Sequence, residues 1–196
     1  MTTRLSKQIE FICEIDKLKH IYRQTFVMDS SRTENDAEHS WHLAVIAILL
    51  SEYATQKNLD LLRVIKMILV HDLVEIDAGD TYLYDEQAAQ DKLDREQRAA
   101  DRLFTLLPDD QGQELRELWE EFEARQTPEA KFAAALDRFQ PLLHNYGTQG
   151  ISWKEHGITS DMVVQRGRHM QEGAPTLWEY AQHLIQDSVE KGYLAP

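Results

Sequence analysis

The 196-residue chain has a single cysteine, Cys13, which excludes an intramolecular disulfide and fits a reducing, cytoplasmic setting. No apolar run approaches the ~20 residues that a membrane-spanning helix needs, and Leu43–Leu50 is typical of the stretches present. No cationic segment followed by an apolar one opens the chain, so neither a secretory leader nor a membrane partner is expected. Positive charge is scarce: 21 Lys and Arg stand against 34 Asp and Glu, for a net charge of −13. Binding to a nucleic-acid polymer rests on basic patches that neutralise phosphates, so a polymer is not the expected partner. A small anionic ligand stays open if local cations or a metal offset the field. A Gly-rich phosphate loop of the P-loop kind is missing, which argues against ATP-driven chemistry. Strand-like alternation of β-branched residues never persists, and there is no repeat, low-complexity tract or linker.

What is present reads as helix almost throughout. Leu5, Ile9, Ile12, Ile15, Leu18 and Ile21 recur in steps of three and four and predict a helix over Leu5–Arg23, with Cys13 as a small core residue. The polar stretch Asp29–Asp36 reads as a loop. Asn35 or Asp36 caps the next helix, Ala37 to about Gln56, and Glu38 stands three after Asn35 as in a capping box. Further helices are expected over Leu59–Ile76, ending near Gly79, then Asp85–Leu107, Leu115–Ala124 and Glu129–Asn145. Thr127 and Pro128 suit the start of the last of these, and Pro141 is placed to kink it. Gly147–Gly157 reads as a loop before two C-terminal helices near Ser160–Met170 and Thr176–Glu190. The expectation is an all-α fold in one domain over 1–196, with a metal-binding core over about 5–145 and C-terminal helices over about 158–192.

Within the apolar run ILVHDLVEI, His71 and Asp72 stand side by side. Buried Asp is rare unless paired or bound to metal, and an unpaired buried charge neutralises itself or costs several kcal/mol. Imidazole and carboxylate suit Zn, Mn, Fe, Co or Ni. Glu75 shares the face of both residues, at i+4 and i+3, and Asp80 follows the helix end. Two ligands hold a metal poorly, so others must come from elsewhere. His39 lies upstream, and Asp137 sits within the apolar segment AAALDRF. A structural salt bridge for Asp137 is the plainer alternative. His20, His42, His144, His156, His169 and His183 read as ordinary satisfied or exposed residues, with His42 and then His144 as spare ligands.

The pattern His39, His71-Asp72, Asp137 resembles the HD-domain phosphohydrolase superfamily. The contexts RTENDAEHS, HDLVEIDAGD and AALDRF are similar to those of its 5′-deoxynucleotidases, and the resemblance covers roughly residues 5–145. It implies a helical fold with a divalent cation (Co, Mn, Mg, Zn, Fe or Ni) held between helices by His39, His71, Asp72 and Asp137. It implies that Glu75 is a catalytic acidic group and that Asp80 contacts substrate, water or a second metal shared with Glu75. It implies that Arg23 orients the substrate phosphate and that Asp80, Thr81, Tyr82 and Leu83 line the nucleotide pocket. Gln24 stands where bacterial members carry a tryptophan against the nucleotide, and the segment after Asp80 reads Thr-Tyr-Leu-Tyr, so Tyr82 or Tyr84 is available to stack on a base. The implied reaction is release of phosphate from (deoxy)nucleoside 5′-monophosphates by metal-activated water, in a protein that often forms homodimers. Hydrolysis of a dNTP, cyclic nucleotide or alarmone, or a non-catalytic scaffold, are the alternatives.

Overall fold

The computed structural model describes residues 3–85 and 90–196. Helix α1, Arg4–Ile15, starts at Thr3, whose hydroxyl accepts the Ser6 amide, and tightens into a 3-10 turn over Asp16–His20. The expected continuation of this helix to Arg23 does not occur. Instead, strand β1, Tyr22–Phe26, pairs antiparallel with β2, Thr33–Asn35. The chain reverses between them at a local turn: Ser30 donates its amide to the Val27 carbonyl, and Ser31 donates its amide to Asp29 Oδ1 at 3.0 Å. The strands are too short for alternation to register in sequence, and Leu18 and Ile21 keep a helical spacing across the boundary.

Helix α2, Asp36–Leu50, is capped by Asn35 with the reciprocal Glu38 contact, as its sequence predicts. Helix α3, Leu61–Val70, does not run on unbroken to Ile76. It passes into a 3-10 turn over His71–Val74 and then α4, Glu75–Ala78, which Gly79 ends at a positive φ of 75°. Helix α5, Lys92–Phe104, covers the second part of the helix expected from Asp85; residues 86–89 of that expectation lie outside the described residues. Helix α6, Asp109–Ala124, begins directly after Pro108, earlier than the expected Leu115. Helix α7, Pro128–Gly147, is capped by Thr127 and continues through Pro141. The expected loop after it contains a short helix, α8, Ile151–Glu155. Helices α9, Ser160–Gly167, α10, Met170–Gly173, and α11, Pro175–Glu190, complete the chain.

Helix α7 is buried along much of its length, its small residues Ala133, Ala134 and Ala135 included. Gly173 of α10 comes so close that a Cβ there would lie 2.1 Å from the Lys131 carbonyl oxygen. One apolar cluster surrounds α7 and includes Leu43, Met67, Ile68, Phe132, Leu136 and Trp178. A second gathers Phe11, Leu18, Leu73, Val74, Leu103, Phe104 and Trp119 beneath α5. The first half of the apolar stripe predicted for α1 is not its buried side: Leu5, Ile9 and Ile12 are 65%, 51% and 58% exposed, and Cys13 is exposed, whereas Ile15, Leu18 and Ile21 pack against the second cluster. Helix α1 packs instead through Phe11, with Leu18 following in the 3-10 turn.

Candidate metal centre

The His71–Val74 turn sits between the two apolar clusters, since Ile68 belongs to one and Leu73 and Val74 to the other. His71 donates Nδ1–H to the Ile68 carbonyl at 2.7 Å, because a carbonyl oxygen only accepts. Its Nε2 therefore faces inward, buried and without a hydrogen-bond partner among the described residues, 3.0 Å from Asp72 Oδ1 and 3.7 Å from Asp137 Oδ1. From α2, His39 brings Nε2 to 3.0 Å from Asp137 Oδ1 and 3.9 Å from Asp72 Oδ2. One ligand atom each from His39, His71 and Asp137 lie within 4.8 Å of one another, all three residues buried. Asp72 joins this group to a second, in which Asp36, Asp72 and Glu75 converge within the same 4.8 Å.

A lone pair on buried His71 Nε2 aimed at two carboxylates is repulsive unless a cation or proton lies between them. The donor set of imidazole nitrogen and carboxylate oxygen suits a first-row divalent ion. The residues thus fit a divalent cation.

The electrostatics agree with that fit. Burial and Arg23 oppose a charge on His39, but the carboxylates of Asp137, 3.0 Å from Nε2, and Glu34, 3.6 Å from Nδ1, outweigh them and raise its pKa to about 9. His71 also shifts up: burial opposes its charge, and the adjacent Asp72 and Asp137 favour it. Asp137 falls well below the usual carboxylate range despite burial, drawn down by Arg138, His39 and His71. Burial, then Asp72, pushes Asp36 up to about 7. The same two causes lift Glu75 far above its ordinary value, and burial raises Asp80. Arg23 offsets these acids. From β1 its Nη1 donates to Asp36 Oδ1 at 3.3 Å and to Asp72 Oδ2 at 3.1 Å, while Asp72, Asp80, Asp36 and Asp137 hold its charge in place against burial.

A family model for the HD domain matches residues 15–178. The chain belongs to the HD-domain family. A solved structure from Magnetospirillum magnetotacticum MS-1, named a predicted metal-dependent phosphohydrolase, is 52% identical over 100% of both chains, with a TM-score of 0.95. The human protein named 5′-deoxynucleotidase HDDC2 is 32% identical over 136 residues, 69% of this chain, and the match spans 65% of that relative's length. A Pyrococcus horikoshii protein, 22% identical with a TM-score of 0.65 over 93% of this chain, shares the fold.

In this HD-domain protein a cavity of ≈ 460 Å³ opens onto the cluster and is lined by Arg23, Gln24, His71, Asp72, Glu75, Asp80 and Asp137. Thr81, Tyr82, Leu83 and Tyr84 line it as well, so the whole set named from sequence meets at one cavity, apart from His39, which lies behind it. The Tyr82 ring packs 4.5 Å from His156 and 5.3 Å from Tyr84, between centroids. Gln24 is solvent-exposed on its strand and reaches the cavity from the rim. His42 and His144 do not join the metal-ligand group; they converge with Glu34 in a separate cluster.

Sequence reasoning missed Asp36, Glu34, Gln140 and Arg138. Asp36 read as a possible cap, yet it is 0% exposed and faces Arg23. Gln140 carried a signal, being a polar residue one turn beyond Asp137 and flanked by Phe139 and Pro141. Arg138, the next residue in sequence after Asp137, lines the cavity and lies 3.6 Å from Asp137 Oδ2.

Proposed function

We propose that this protein is a metal-dependent phosphomonoesterase that releases phosphate from (deoxy)nucleoside 5′-monophosphates. The observation that carries the reading is the convergence of His39, His71, Asp72 and Asp137 beside a buried arginine at the wall of one cavity. A divalent cation held by these four residues supplies a water of lowered pKa and a Lewis acid for a phosphoryl oxygen. Arg23 spends Nη1 on Asp36 and Asp72, and no bond of Nη2 is seen among the described residues, so Nη2 is available to phosphate oxygens. Glu75, whose pKa burial, then Asp72 and Asp36, push well above its ordinary value, is the group assigned to hand a proton to the leaving 5′-oxygen. Asp80 stands at the partly open side and orients water or the sugar. Thr81, Tyr82, Leu83 and the rim residue Gln24 receive the nucleoside, with Tyr82 or Tyr84 offering a ring to the base.

The two imidazoles favour Mn, Fe, Co, Ni or Zn over Mg. One ion is assigned rather than two, because the Arg23 guanidinium lies against Asp36 and Asp72, where a second cation would be repelled. A homodimer is supported by α2, which exposes Trp41, Val45, Ile48 and Leu49 at 65%, 37%, 56% and 66%; apolar patches of this kind mark interaction surfaces. Among the described residues no helix is long and apolar enough to cross a membrane, and the net charge of −13 disfavours a nucleic-acid polymer as partner. The lone, exposed Cys13 is compatible with the cytoplasm as the working compartment.

The test is phosphate release from a panel of dNMPs and NMPs with added Co, Mn or Mg, with products separated into phosphate, pyrophosphate and dinucleotide. Wild type should release orthophosphate and Asp72→Ala should not. Silence of the wild type across the panel, or undiminished release by Asp72→Ala, overturns the proposal.

A further inference from the structure

The two histidines of the metal centre are oriented by different means. His71 is fixed by a main-chain carbonyl, Ile68. His39 is fixed by a side chain: its Nδ1 lies 3.1 Å from Gln140 Oε1. Gln140 is 0% exposed, and its amide is held in one orientation. Its Nε2 donates to Glu34 Oε1 at 2.7 Å, and a carboxylate accepts only. His144 donates Nδ1–H to the Phe26 carbonyl at 3.0 Å, so its Nε2 is an acceptor, and Gln140 Nε2 lies 3.1 Å from it. Flipping the amide would set its oxygen against the Glu34 carboxylate and the His144 lone pair. The oxygen must therefore face His39.

The His42, His144 and Glu34 cluster has the composition of a second metal site. Its centre is taken by that same Gln140 Nε2, which also lies 3.4 Å from His42 Nδ1. These residues orient an amide rather than bind an ion.

We propose that Gln140, anchored by Glu34 and His144, is a positioning residue that keeps the proton of His39 on Nδ1 and so commits Nε2 to the metal. The inference rests on the metal-centre reading above. The chain of contacts also ends on Phe26 of β1, the strand that carries Arg23, so one buried network aligns the metal ligand and the arginine strand. Partners of this kind typically contribute 10–100-fold to metal affinity.

The experiment measures Zn²⁺ and Co²⁺ affinity of the whole protein by competition with a chelating indicator, alongside thermal unfolding. Gln140→Leu should bind about 10–100-fold more weakly. Gln140→Glu keeps an acceptor for His39 but buries a second carboxyl beside Glu34. It should retain more affinity than Gln140→Leu while being the less stable of the two. A residue that merely fills the core would give affinity losses that follow the stability order, and that result overturns the proposal. So does wild-type affinity in Gln140→Leu. If Gln140→Leu does not fold, ¹⁵N NMR of the Zn²⁺-loaded wild type decides: His39 should bind through Nε2 with Nδ1 protonated, and binding through Nδ1 overturns the proposal. A wild type that takes up neither metal removes the metal centre itself, and this inference with it. Tight wild-type binding with an unaffected Gln140→Leu removes the inference alone.

Discussion

Arg23→Met exposes how the acidic cluster is balanced. Among the described residues, Arg23 is the only arginine or lysine in ion-pair contact with Asp36 and Asp72, and its side chain is 12% exposed. Methionine keeps much of the volume and removes the charge. Breaking a buried pair by deleting one partner costs about 3–5 kcal/mol, because the remaining charge is left uncompensated. Part of that cost must depend on pH. Asp36 has a folded-state pKa of about 7, above its ordinary 3.8. The metal-free fold therefore binds this proton more tightly than the unfolded chain, and stability declines as pH rises from about 4 to about 7. Without Arg23 the Asp36 pKa climbs further, and the decline continues to higher pH. The wild-type minus variant difference should be about 3–5 kcal/mol at pH 8. It should shrink by up to about 1.4 kcal/mol at pH 5.5, the worth of the one pH unit between the wild-type Asp36 pKa of about 7 and pH 8, because Asp36 is protonated in both proteins at pH 5.5. The assay is urea unfolding of chelator-treated protein at the two pH values. A difference that is the same at both, or below about 1 kcal/mol at pH 8, refutes the idea that Arg23 balances a buried acid cluster. In the phosphatase assay the same variant, loaded with metal, should lose about 10²–10³-fold in kcat, the usual effect of deleting one donor to a developing anionic charge.

Four further outcomes follow from the geometry and its electrostatics. Glu75→Gln should keep stoichiometric metal and lose about 10²–10⁴-fold in kcat, as for removal of a proton-transfer group; loss of metal instead would make Glu75 a ligand. Metal uptake near pH 7 should release protons, since metal-free His39 holds one up to about pH 9. Calorimetry in buffers of different ionisation enthalpy would show this, and buffer-independent heats would contradict it. The sign for stability is that of a raised histidine: the contribution to the metal-free fold is complete below about pH 6.5 and lost by about pH 9, so chelation should lower Tm more at pH 9 than at pH 6.5. Finally, Gly173→Ala places a Cβ 2.1 Å from the Lys131 carbonyl oxygen. It should destabilise by about 1–3 kcal/mol as overpacking without changing metal affinity, as thermal unfolding and titration together would reveal.

Much of the helical frame and the His71-Asp72 pair were legible in sequence because each rests on a local rule, whereas His39 and Asp137 as ligands and Arg23 as phosphate clamp came from the resemblance to the HD-domain superfamily. Asn35 and Glu38 announce a capping box, Thr127-Pro128 a helix start, and His71-Asp72 an expense that an apolar helix core does not bear without a partner. What escaped depends on pairings that no window contains. The five-residue strand Tyr22–Phe26 exists through its contact with Thr33–Asn35. The Leu5, Ile9, Ile12 stripe has helical spacing, yet neighbouring elements pack against Phe11 instead. The same limit explains the acids. Asp36 is a plausible cap by sequence, and only the return of β1 beside it, bringing Arg23 to 3.3 Å, makes it part of the site. Arg23 is also why the missed strand matters most. On a helix through residue 23 the guanidinium would share a face with Lys19 and His20; on a strand paired to the segment leading into α2 it enters between Asp36 and Asp72. The short sheet is thus the element that carries the cation into an acidic centre, and a reading of the chain as helix alone leaves that centre without its counter-charge.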